Sequence, residues 1–192
     1  MRASIAYEAA RIINDMGQRD YHTARIKAAQ RLGCKDHRRF PSNIEIEKAL
    51  VEYQQIFHAD DQQRSLDALR RLALDAMSHL RQFSPRLVGP ALSGSVDSYS
   101  RLQLHLFSES PEQIALHLLD SGIPYQESET AVFFTKGQRQ RQPAFRFHSG
   151  AFEVELTWFP TGTIGHPPLS TIDQKPEKRA SIAQLKNMLH LE

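Results

Sequence analysis

Apolar residues recur at three- and four-residue intervals up to about residue 84 and at two-residue intervals over several later stretches. The first pattern predicts helices. Ile5, Ala9, Ile12, Ile13 and Met16 form one stripe, with Gly17 as its stop. Asp20 is placed to cap a second helix carrying Tyr21, Ala24, Ala28 and Leu32 inward, closed by Gly33. Ser42-Asn43-Ile44-Glu45 has the spacing of a capping box and opens a helix with Ile46, Ala49, Leu50, Tyr53 and Phe57 inward. A fourth starts near Asp60 or Asp61, buries Leu66, Leu69, Ala73, Met77 and Leu80, and is stopped by Pro85.

Beyond Pro85 the period changes. Leu102, Leu104 and Leu106 alternate with Arg101, Gln103 and His105, the pattern of a half-buried strand. Ser110 and Pro111 start a helix with Ile114, Leu118 and Leu119 inward and Gly122 at its end. A strand is expected around Ala131–Phe134, then a polar basic turn from Lys136 to Gln142. Two alternating runs between Ala144 and Phe159 flank Ser149-Gly150, which reads as a two-residue hairpin turn. That turn puts Phe147 opposite Phe152, Phe145 opposite Val154 and Arg146 opposite Glu153. After an irregular Gly/Pro-rich stretch, Ser181 to Gln184 caps a last short helix with Ile182, Leu185, Met188 and Leu189 apolar.

The fold class expected is therefore α+β: a bundle of about four helices over 1–84, packed on a small mixed-sheet core over 85–160, with an irregular segment over 161–192. A formal net charge of +2 gives no basic field that calls for nucleic acid. The single cysteine, Cys34, excludes an internal disulfide and has no base beside it in sequence to activate it. No leader is expected at the N-terminus and no apolar run approaches membrane-spanning length, so a cytoplasmic location is expected.

The most informative stretch is Leu87-Val88-Gly89-Pro90 through Gly94-Ser95 to Ser100-Arg101-Leu102-Gln103-Leu104. It resembles the signature of polymerase-β-type nucleotidyltransferases, in which a strand ends in Gly-Ser, a second Gly-Ser follows, and an Asp-hydrophobic-Asp strand comes after a short loop. The resemblance implies a nucleotidyltransferase-like core, with a third acid from a neighbouring strand completing a two-metal site for a nucleoside triphosphate. Here Arg101 and Gln103 occupy the two Asp positions, and Pro90 replaces the Ser after the first Gly. Arg does not ligate a metal and Gln offers one neutral oxygen, so the resemblance implies a degenerate site without metal-dependent transfer. Glu153 and Glu155 are the candidates for the third acid.

The expected role is a nucleotide- or anion-binding or regulatory module. Its candidate ligand residues are Gly89, Gly94, Ser95, Arg101, Gln103, Arg146, Glu153 and Glu155, with no cofactor and no metal expected. Arg101 and Arg146 suit bidentate bonding to phosphate or carboxylate. The simpler reading of the same face is a solvated one carrying cross-strand ion pairs. A metal site from His105, His148 and a Glu is a further alternative, and an active transferase with unusual ligands another. No serine-hydrolase elbow and no phosphate loop of the Walker type occurs.

A different class also stays open. Ala9 to Gly17 followed by Ile26 to Gly33, with Arg38-Arg39-Phe40-Pro41, resembles the opening of tetracycline-repressor-type regulators, which would make the basic helices a DNA contact. Against it, Cys34 to Phe40 is too short for a turn plus a groove-reading helix, and the second half is rich in strands.

Overall fold

The structure, a computed structural model, describes all residues except 17–19, 58, 97–99, 136 and 192, and no side chains for 16, 54–57 and 59–62. The expectations placed on Met16, Gly17, Phe57 and Lys136 lie outside that description. Two compact units are present: Met1–Ser65 with Gly94–Tyr99 and Thr171–Asp173, and Leu66–Ser93 with Ser100–Ser170 and Gln174–Glu192.

The first unit is helical, with α1 (Arg2–Met16), α2 (Tyr21–Arg31), α3 (Asn43–Phe57) and the start of α4 (Ala59–His79). Its core is the predicted stripe: Ile5, Ala9, Ile13, Ala28, Ile46 and Leu50 are buried. Both predicted caps form. Asp20 accepts from the His22 and Thr23 amides, and Ser42 and Glu45 bond each other's backbone N–H. Glu45 also receives Arg2 at 2.8 Å, and that bond, with those from Ser42, holds its carboxyl down at about 2. Leu32 departs from the expectation: it lies past the last helical turn and is exposed.

The second unit is built on a five-stranded sheet of order β1-β2-β5-β4-β3: β1 (Arg86–Val88), β2 (Leu102–Ser108), β3 (Gln126–Thr135), β4 (Gln138–Ser149) and β5 (Phe152–Pro160). Only the β2–β5 pair is parallel; β1–β2, β4–β5 and β3–β4 are antiparallel. The sheet is therefore mixed, and with seven α-helices among the described residues the fold is α+β. The short α5 (Pro90–Ser93) joins β1 toward β2, and α6 (Pro111–Asp120) follows β2. Leu102, Leu104 and Leu106 of β2 and Val154 and Leu156 of β5 are buried, as are Ile114 and Leu118 of α6. The last helix, α7 (Ile182–Met188), has the predicted capping box at Ser181 and Gln184, with Leu185 as its buried anchor and Met188 exposed.

Several expectations are corrected. The hairpin turn is Gly150-Ala151, because Ser149 pairs with Phe152; Phe147 then faces Val154, Phe145 faces Leu156, Arg146 faces Glu155 and His148 faces Glu153. Gly150 has φ +59, and a positive φ at the first loop position is where a two-residue hairpin favours glycine. The displacement is two residues along the partner strand, so every side chain keeps its predicted face. The supposed basic turn is mostly strand: β4 begins at Gln138, and β3 reaches back to Gln126. A ribbon exposed to water needs no apolar alternation, so periodicity missed it. Leu119 is 61% exposed. Ser110 holds the N-cap position of α6, yet its hydroxyl serves Glu112 rather than a helix amide.

The strand read as half-buried is covered on both faces beyond Gln103: His105 and Phe107 are buried along with the leucines. The cover is the segment taken as irregular. Ala180 pairs with Leu87 of β1, and the Arg179 guanidinium lies over the Phe107 and Phe159 rings at 5.0 and 5.1 Å.

Candidate functional site

Alternation along β2 and β5 puts Gln103 and Glu155 on one sheet face, and the parallel register sets them side by side. Arg101, just before β2, and Glu153 belong to the same face. Antiparallel pairing then brings Arg146 of β4 to the other flank of Glu155. Oε2 of Glu155 receives Nε and Nη2 of Arg146 at 2.7 Å and Nη1 of Arg101 at 3.3 Å. Arg101 Nε also lies 3.4 Å from Glu153 Oε2.

Two guanidinium groups and two carboxylates thus form one charge-balanced cluster. Its centre is Glu155, only 3% exposed; the side chains of Arg101 and Arg146 stay 37% and 35% exposed. A carboxylate so deeply buried is stable only with charged donors on it, and both arginines supply them. The expected cross-strand ion pairing is thus present, with Arg146 on Glu155 rather than on Glu153, but the carboxylate at its centre is shielded from water instead of solvated.

Gly89 stands at the end of β1 with φ +70. A Cβ there would meet Oε1 of Gln103, so the amide of Gln103 occupies the space directly over the glycine. The backbone sign is what requires glycine at this position, since the amide above it is the movable end of a flexible side chain. Pro90 is buried and begins α5, where its missing N–H costs nothing. Gly94, with φ +83, and the buried Ser95 are residues of the first unit. The cluster of Arg101, Arg146, Glu153 and Glu155 and the Gly89–Gln103 contact are formed wholly within the second.

The same sheet face carries a second polar group that periodicity did not reveal. Arg179 donates through Nε to His105 Nδ1 at 3.0 Å and through Nη1 to the Ile164 carbonyl at 3.1 Å, and Glu177 Oε2 lies 3.7 Å from His105 Nε2. Burial, with the nearby Arg179 charge, pushes the His105 imidazole well below its usual range. Burial raises the Glu177 carboxyl to about 7 against the pull of Arg179, and lowers Arg179 to about 10. Arg179 and Glu177 sit in a stretch without alternation, and nothing in the local sequence singles them out. The alternative of a metal held by His105 and His148 is overturned by the register. His105 stands level with Thr157 and His148 with Glu153, roughly 13 Å apart along β5. His105 is in addition occupied by Arg179.

Between α2 and α3 the chain makes a single 3-10 turn, His37–Arg39, and nothing long enough to lie in a major groove. Arg31 pairs with Glu8 and Arg39 with Asp36. Among the described residues no helix is long and apolar enough to cross a membrane.

No family model and no curated protein matches the chain. Among solved structures, the Cid1 poly(U) polymerase with MgGTP bound aligns with 49% of this chain at 20% identity and a TM-score of 0.33. The alignment spans 32% of that polymerase, so about half of this chain matches about a third of its length.

Proposed function

We propose that the chain is a nucleotidyltransferase-like module in which an ion-pair cluster stands where a two-metal centre would be, so that it does not transfer nucleotidyl groups. The observation that carries this is the pair of arginines on Glu155. Glu155 lies beside Gln103 on the adjacent parallel strand, as a third acid would. The position that would supply the first acid is Arg101, whose guanidinium contacts that carboxylate at 3.3 Å. A fixed positive charge thus takes the role of the cations, and no second carboxylate adjoins Gln103 along β2 to draw a metal in. The order of parts supports the same reading: β1, Gly89, a short helix, then β2 antiparallel to β1, with β5 parallel to β2.

The binding role follows from the exposed sides of Arg101 and Arg146. They offer a metal-independent contact for a nucleotide or another small anion, with Gly89 and Gln103 of the same unit as the further candidate residues. Binding of a fluorescent ATP analogue in excess chelator tests this. Affinity retained without Mg²⁺ and lost in Arg101→Ala and Arg146→Ala, each verified as folded by circular dichroism, is expected. Affinity that requires Mg²⁺ contradicts it, as does binding indifferent to both arginines.

A further inference from the structure

The two edges of the sheet are treated differently. The outer side of β1 is closed by the C-terminal segment, where Leu87 and Ala180 exchange backbone hydrogen bonds of 2.8 and 2.9 Å. β3, at the opposite edge, receives one outward bond, from the Leu169 N–H to the Phe133 carbonyl. From Gln126 to Val132 its described backbone bonds to no strand other than β4. Gln126, Glu127 and Glu129 are exposed along this stretch. An uncovered edge of this length is a template for another strand.

A groove of about 650 Å³ runs beside it, between the first turns of α6 and strands β3 and β4. Pro111, Ala115 and Phe145 give it apolar walls, and Glu112, Glu127 and Glu129 line it with carboxylates. Glu127 is the register partner of Phe145, so the acidic side chains and the apolar wall share one sheet face. A strand added at the edge would send alternate side chains to that face, where lysine stems can lie on the apolar walls and their ammonium groups on the carboxylates, and the others to the opposite face, level with Ser128 and Val132.

We propose that the β3 edge from Gln126 to Val132 docks an extended segment of another protein, in which lysine or arginine alternates with apolar residues. Main-chain bonds to an edge are blind to sequence, so the side chains decide the partner. Here three carboxylates favour a basic one. Arg141, 3.0 Å from Glu129, is the cation that the described contacts place on these acids. A second copy fits poorly: β3 against β3, centred on Ser128, would set Glu127 of each copy opposite Glu129 of the other, and like charges facing across strands are destabilising. The chain as a whole carries a net charge of +2, so a basic peptide is not drawn to it by overall charge.

The test uses the full chain and a fluorescein-labelled, end-blocked peptide of alternating lysine and valine, with its glutamate–valine counterpart as control. Anisotropy should show salt-sensitive binding of the lysine peptide alone. Binding should weaken roughly tenfold in the double variant Glu127→Lys/Glu129→Lys and in part in Glu127→Lys, which leaves Arg141 paired. Amide hydrogen exchange should slow at Gln126–Val132 on binding. The proposal falls if the lysine peptide fails to bind at millimolar concentration, if both variants bind it unchanged, or if protection appears elsewhere. Self-association of the free chain through this edge, seen by sedimentation, would also overturn it.

Discussion

Nε and Nη2 of Arg146 both lie 2.7 Å from a single oxygen of Glu155, whose side chain is 3% exposed. The same oxygen takes Arg101, so one carboxylate ties together three strands' worth of sequence: the residue before β2, β4 and β5. That tie sets the order of mutational costs. Glu155→Ala should lose about 2–4 kcal/mol, below the full penalty for a broken buried pair because the two arginines regain water on their exposed sides. Glu153→Ala, where the carboxylate is half-buried at the edge of the cluster with a single contact from Arg101 at 3.4 Å, should lose about 1 kcal/mol or less. Urea titration of both variants checks the order; a larger loss at Glu153 would place the centre of the cluster wrongly.

Gly89→Ala should be costly for two reasons that separate experimentally. The positive φ costs about 1–2 kcal/mol for any residue with a Cβ. Any remainder is the displacement of the Gln103 amide, which the added atom would meet. A double-mutant cycle with Gln103→Ala should therefore show less than additive loss. Strict additivity would mean that the amide moves aside freely.

Glu177 and His105 give opposed pH dependences. The His105 value is lowered in the fold, so its contribution is present above the unfolded value of 6.5 and declines as pH falls below it. The Glu177 value is raised from 4.5 to about 7, so its contribution is full below 4.5 and is lost as pH rises through 7. Between about 4.5 and 6.5 the two slopes offset one another. Glu177→Gln removes one of them. Its stability should climb from pH 5 to pH 6.5 where the parent's stays flatter, and at pH 8 it should exceed the parent by about 1–3 kcal/mol. Denaturation midpoints across that range decide it; parallel curves would contradict the raised Glu177 carboxyl.

The N-terminal helices should give no sequence-specific duplex binding, since the turn at His37–Arg39 is too short to read a groove. Selection on random duplexes should return no consensus, and residual affinity should fall steeply with salt. A recovered palindrome lost on changing Arg38 and Arg39 would reverse this.

How much of this was legible in the sequence follows from where each signal lies. Caps at Asp20, Ser42 and Ser181 and the stripes of the first helices are local, and local spacing was enough to place them. The hairpin's faces were legible but its register was not, because Ser149-Gly150 and Gly150-Ala151 differ by one turn position and alternation is blind to a two-residue displacement. Glu155 was a candidate beside Glu153, and only the parallel β2–β5 pairing, a contact between distant residues, separates the buried acid from the rim one. The burial of His105 was beyond reach, because it depends on Arg179 arriving from 74 residues away.

The central claim is that guanidinium groups have replaced metal at Glu155, and calorimetric titration with Mn²⁺ in the presence of a non-hydrolysable nucleoside triphosphate tests it most directly. The parent chain should show no stoichiometric metal binding to the protein beyond that of the triphosphate itself. Arg101→Asp/Gln103→Asp should stay folded and gain a metal-dependent heat that disappears when Glu155→Gln is added. Tight binding of two metal ions by the parent chain, abolished by Glu155→Gln, would contradict the account.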